Sequence, residues 1–137
     1  MAEASNVVER AEVLAAPVVI DPEAYISTDY AAAERYWSPD YIQHSAHIAP
    51  GRNGLFDLVK SLPSTLRYEA GVIAASGDHV IVHGRFSGHG RPVAWIAADV
   101  LRIENGVFAE HWDVLQDEAT EAESKSGLPM FGDSFPR

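Results

Sequence analysis

Asp99, His111 and Asp113 are the residues of this chain best suited to moving protons, and the run Tyr41-Ile42-Gln43-His44-Ser45-Ala46-His47 adds two more imidazoles. An imidazole beside carboxylates in an apolar setting is a general acid–base group, because desolvation and neighbouring charge shift its proton affinity. Alternation places Trp95, Ala97, Asp99 and Leu101 on one face of an extended segment. The same rule places Ala109, His111, Asp113 and Leu115 on one face of the next. If the tight Asn105-Gly106 turn pairs the two segments regularly, Asp99 and the His111/Asp113 pair come near one another across the ladder. Apolar side chains would be the cheaper occupants of such positions, which is why chemistry is expected there. The competing reading pairs each carboxylate with a backbone group or an arginine, Arg85 or Arg102, in a purely structural role.

His44 and His83 are further candidate acid–base residues. His44 sits at the corner where the chain enters the sheet; His83 is central in the strand face His79, Ile81, His83, Arg85, Ser87, which is too mixed to be simple packing. Tyr41, Gln43, Trp95 and Arg85 are the candidate substrate contacts, with Trp95 on the face of Asp99. Trp112 faces away from His111 and is expected at an interface. His44-x-x-His47 has ligand-type spacing but lacks a third ligand, so no metal site is expected. His47 and His89 read as loop residues, His89 solvated in its glycine-rich turn, and Asp117, Glu118, Glu121 and Glu123 read as a solvated acidic tail.

Several elements must position these groups. Arg67–Ala75, His79–Ser87, Pro92–Glu104 and Val107–Gln116 alternate as four strands, joined by hairpin-sized connections. Leu55, Phe56, Leu58, Val59 and Leu62 form a helical stripe that Pro63 ends, after a loop over Pro50–Gly54. Upstream, Ala4–Ala16 reads as a helix, Pro17–Ile20 as extended and Asp21-Pro22-Glu23 as a helix start; Asp29–Trp37 reads as a helix stopped by Ser38-Pro39. Met130 and Phe131 in the tail are candidates to cover a pocket mouth or a partner subunit. Helices followed by an antiparallel meander define an α+β domain, with helices laid on one face of a curved sheet.

The chain has 137 residues, 47% of them hydrophobic, which fits a single folded domain spanning 1–137. Ten Lys and Arg against 20 Asp and Glu give a formal net charge of −10, which argues against nucleic-acid or anionic-membrane partners. There is no cysteine, hence no disulfide and no thiol chemistry. With neither a signal-peptide pattern nor an apolar run of membrane-spanning length, a cytoplasmic location is the expectation.

Ser38-Pro39-Asp40-Tyr41-Ile42-Gln43-His44, followed by a meander closing with Leu101-Arg102-Ile103-Glu104-Asn105-Gly106 and Glu110-His111-Trp112-Asp113, resembles the SnoaL-like polyketide cyclase family of the nuclear-transport-factor-2-like (NTF2-like) superfamily. The likeness spans roughly residues 29–132. It implies a cone-shaped α+β barrel around an apolar cavity, usually a homodimer, and chemistry without metal or organic cofactor. It also implies that Asp113, matching the last-strand aspartate of the cyclases, is the acid–base residue of an aldol ring closure. Where those cyclases carry a histidine and an amide on the preceding strand, this chain has Asp99 and Ala97, and residues 16–28 also depart from the family pattern.

The leading expectation is therefore cofactor-independent acid–base chemistry, aldol cyclisation or isomerisation, on a small hydrophobic carbonyl or enol substrate. A non-catalytic ligand-binding dimer is the alternative. An epoxide hydrolase-like site built from Arg85, Asp99 and Asp113 is the third.

Overall fold

The expected alternation in the second half of the chain becomes a five-stranded sheet in the computed structural model, which describes residues 34–136. The strands are β1 (Trp37–Gln43), β2 (Arg67–Ser76), β3 (His79–Ser87), β4 (Trp95–Glu104) and β5 (Val107–Asp117), and one helix, α1 (Gly51–Ser61), lies between β1 and β2. The sheet order is β1-β5-β4-β3-β2, with β1 parallel to β5 and every other neighbour antiparallel. This is a mixed α+β fold, a helix on a curved sheet. The features expected over Ala4–Ala16, Pro17–Ile20 and Asp21–Glu23 lie outside the described residues, as does most of Asp29–Trp37.

The four meander strands match expectation to within a few residues. Asn105 and Gly106 both take positive φ, 52° and 79°, the backbone of a tight primed hairpin turn. β1 is the unexpected element. Helical propensity in Ala31-Ala32-Ala33 suggested a helix through Trp37, but Trp37 opens a strand instead. Its buried ring lies 5.8 Å from Phe56 and 5.0 Å from Phe108, so tertiary burial outweighs local propensity. Pro39 is tolerated because it falls where the β1–β5 register shifts, between Trp37 and Ile42. The expected loop over Pro50–Gly54 is also shorter, since α1 starts at Gly51; Gly54 packs so tightly on the Ala49 backbone that a Cβ there would collide with it.

Helix α1 turns Phe56 onto the sheet, where Trp37, Tyr41, Val80 and Phe108 complete the buried core. We call this the helix side. Each such ring or aliphatic group contributes about 1.5–3 kcal/mol through burial. Gly84 belongs to the same side: a Cβ there would strike the Tyr68 ring, so a side chain is excluded where that ring crosses the sheet. The opposite face, the far side, carries Ile81, His83, Arg85, Trp112 and Val114. There the tail folds back, with Phe131 against the His83 ring at 5.6 Å and in contact with Gly71. The tail thus covers the part of the far side around His83, and Glu118, expected to be solvated, is 6% exposed because it is drawn in by Arg85.

One irregularity decides which residues meet. Ile103 pairs with Phe108, but Arg102 pairs with Glu110, so Ala109 is an extra residue in β5. A bulge of this kind shifts all later pairing by one position, exchanging which side chains lie opposite one another. Among the described residues, no helix is long and apolar enough to cross a membrane.

Candidate functional site

Past the Ala109 bulge, Asp99 lies directly opposite Asp113, and Leu101 opposite His111. Gln43 of β1 pairs with His111 from the other edge of β5. Three strands therefore deliver polar side chains to one place on the helix side. His111, 7% exposed, is held at both ring nitrogens: Nε2 is 2.7 Å from Asp99 Oδ1, and Nδ1 is 2.7 Å from Gln43 Oε1. The backbone N–H of Ser45 donates to the same Gln43 Oε1 at 2.9 Å, while Gln43 Nε2 reaches the Tyr41 hydroxyl at 3.4 Å. Asp113 accepts a 2.8 Å hydrogen bond from the Ser45 hydroxyl. With its proton committed there, Ser45 Oγ accepts from His47 Nδ1 at 3.3 Å.

Two tyrosines border the carboxylates. Burial pushes the Tyr41 hydroxyl well above the ordinary phenol range, with smaller contributions from the negative charges of Asp99 and Asp113. Tyr68 is raised in the same way by burial, with Asp99 adding to it. Both hydroxyls therefore stay protonated across the physiological range and remain available as donors. Further along β4, the Trp95 ring lies 6.0 Å from His47 and 4.2 Å from His89, with the Arg91 guanidinium 5.3 Å from its centre. His89 is 5% exposed, and neither of its ring nitrogens has a hydrogen-bond partner among the described residues. Burial, reinforced by Arg91, lowers its proton affinity despite the opposing pull of Asp117.

Asp99, His111 and Asp113 can each turn one ligand-type atom into a group spanning no more than 4.8 Å. Ligands bound at about 2.0–2.1 Å in a tetrahedral metal site stand roughly 3.3 Å apart. The 2.7 Å contact between His111 Nε2 and Asp99 Oδ1 is the length of a charge-assisted hydrogen bond. A proton fits that gap better than a metal ion does.

The structure brings together Asp99, His111, Asp113, Gln43 and Tyr41, with Trp95 on the same side of β4. It does not bring in His44, His83 or Arg85, whose expected placement needs correction. His44 lies on the far side, with its Nε2 2.7 Å from Glu110 Oε2 and its ring stacked on Trp112 at 4.8 Å and 3°. The chain leaves β1 after Gln43, and a flat aromatic partner with a carboxylate beside it captures the imidazole there. Hydrogen bonds from His44 and Arg102 hold the Glu110 carboxyl below the usual glutamate range. His83 pairs with Ala98 in the ladder and packs on Phe131, because alternation turns it away from Val82, the partner of Asp99. Arg85 is on the same far side, donating from Nε to Glu118 at 2.7 Å and from a terminal nitrogen to Glu69 at 3.1 Å. Among the described residues, no arginine thus stands between Asp99 and Asp113 in the way an epoxide hydrolase-like centre was expected to require.

Sequence reasoning missed Ser45, His47 and Tyr68 as members of the cluster, and took His89 as solvated. A signal for two of them was present. Tyr41, Gln43, Ser45 and His47 continue the period of two beyond the end of β1, so one face of that segment is polar over four alternate positions.

The family model described as a SnoaL-like domain matches residues 22–111. No curated protein sequence matches the chain. Among solved structures, the chain is similar to a candidate ketosteroid isomerase from Kribbella flavida, with a TM-score of 0.70 and 11% identity over 98% of both chains. It is also similar to a candidate SnoaL-like polyketide cyclase from a Jannaschia species, with a TM-score of 0.65 and 13% identity over 85% of this chain and 89% of the other. A third likeness is to an epoxide hydrolase of the LEH type from M. tuberculosis, with a TM-score of 0.61 and 12% identity over 91% and 90%. At these identities the likenesses establish the NTF2-like fold and nothing finer.

Proposed function

The chain belongs to the SnoaL-like domain family, and from that premise we propose that it is a proton-transfer enzyme for a small, largely apolar substrate bearing a carbonyl or enol. The observation that carries this reading is the direct opposition of Asp99 and Asp113, with His111 bound to Asp99, on the face of the sheet that also holds the apolar core. In this reading, Asp113 removes a proton from the carbon next to the carbonyl. The Asp99–His111 pair, assisted by the protonated Tyr41 hydroxyl, supplies a proton to the oxygen on which charge develops. Return of the first proton from Asp113 to a different carbon, with the oxygen's proton passing back to the Asp99–His111 pair, completes an isomerisation. If the enol carbon instead adds to a second carbonyl, a carbon–carbon bond forms, that carbonyl oxygen takes the proton held by Asp113 and the enol's O–H proton returns to the Asp99–His111 pair, which is aldol cyclisation. Trp95, with His47 and His89 beside it, offers the flat surface against which a ring-bearing substrate would lie.

The test is exchange of α-protons for deuterium in D2O, followed by NMR over a panel of aromatic and alicyclic ketones. Wild-type protein should accelerate exchange for at least one ketone shape, and Asp113→Asn should remove the acceleration. Ligands that bind without any accelerated exchange would instead favour a non-catalytic binding protein.

A further inference from the structure

We infer that Gln43 is a positioning residue that locks His111 with a proton on Nδ1, so that the contact between His111 Nε2 and Asp99 must carry a second proton. The argument is a count of hydrogen-bond donors. The Gln43 amide cannot be turned round, because the backbone N–H of Ser45 points at its Oε1 from 2.9 Å and an NH2 group there would set donor against donor. With Oε1 so fixed, the 2.7 Å contact to His111 Nδ1 is a hydrogen bond only if Nδ1 carries the hydrogen. The other ring nitrogen then stands 2.7 Å from a carboxylate oxygen. If both partners were bare, two lone pairs would face each other at that distance in a site where His111 is 7% exposed. One of them must hold a proton: either the ring is an imidazolium against the Asp99 carboxylate, or Asp99 is the acid and Nε2 accepts.

Either arrangement leaves the pair loaded with one transferable proton. Asp113, hydrogen-bonded among the described residues through the Ser45 hydroxyl, faces it as an acceptor. The two carboxylates opposed across β4 and β5 are thereby made unequal by an amide on β1, 68 residues away from His111 in sequence. The catalytic meaning of this lock rests on the proton-transfer reading above; the lock itself does not, and it can be read without any substrate.

The experiment is NMR of protein carrying 15N-labelled histidine, observing N–H couplings within the imidazole rings. Spectra of His111→Gln identify the His111 signals among those of the six histidines. Wild-type protein should show His111 protonated at Nδ1. Gln43→Leu should lose that Nδ1–H signature and shift the proton to Nε2, donating to Asp99. Gln43→Glu, whose carboxylate can accept from both Ser45 and His111, should retain it. If Gln43→Leu does not fold, the wild-type and Gln43→Glu spectra still decide. A bare Nδ1 with the hydrogen on Nε2 in wild type overturns the proposal, as does a Gln43→Leu protein whose Nδ1 stays protonated. Absent ketone exchange with an intact Nδ1–H signature would overturn the proposed function and leave the lock standing.

Discussion

Asp99 and Asp113 are direct cross-strand partners, yet Asp99 is held by an imidazole and Asp113 by a hydroxyl. Two like groups in one place are thus given unlike surroundings, the usual structural origin of separate acid and base roles.

That asymmetry predicts unequal mutants. Asp113→Asn should slow α-proton exchange by about 100-fold or more, the range expected when a positioned base is removed. Asp99→Asn, which spares the base, should slow exchange by about tenfold while its effect on product formation is larger. Equal losses in exchange for the two variants would contradict the division of labour.

His44→Ala should leave exchange activity within about twofold of wild type, because the imidazole sits on the far side against Trp112 and Glu110. The same assay checks it.

Arg85→Met should also spare the chemistry but destabilise the fold, by about 2–3 kcal/mol in urea unfolding. Its removal strands the Glu118 carboxylate, whose side chain is 4% exposed and whose guanidinium partner lies 2.7 Å away.

Acidification should reveal His89. Burial and Arg91 lower its proton affinity in the folded state, so the unfolded chain binds the proton first as pH falls. Stability linked to this residue is present above the ordinary imidazole value near 6.5 and is lost as pH drops from there through the folded value. His89→Leu should therefore flatten the dependence of unfolding free energy on pH between about 7 and 5, measured by urea titrations at a series of pH values.

The meander and α1 were legible because hydrophobic period and turn chemistry are local properties: the alternation in β2 to β5, the Asn105-Gly106 turn and the stripe around Phe56 all lie within short windows. Which side chains share a face within each strand was legible for the same reason. Regular pairing from Asn105-Gly106, however, would set Asp99 opposite Trp112, and its meeting with His111 and Asp113 depends on the Ala109 bulge, which no local pattern marks. β1 was not legible either, since the choice between helix and strand at Trp37 depends on Phe56 and Phe108, which local propensity cannot see. His83 and Arg85 looked like pocket residues because a polar strand face has two explanations, and only the folded tail, bringing Glu118 and Phe131, selects the structural one. His44 was misplaced by one step of alternation: Gln43 before it and Ser45 after it face the cluster, and it does not.

The extra residue in β5 makes pairing register, more than residue identity, the guarded quantity between the hairpin and the chemistry. Ala109 is nearly buried, so another small side chain could replace it with little disturbance. Drawing Ala109 into regular pairing from the Asn105-Gly106 turn would set Trp112, in place of Asp113, opposite Asp99, whereas deleting it would leave Asp99 opposite Asp113. A slip that absorbed the bulge would thus do more harm than the loss of the residue itself, presenting the sheet's inside as its outside.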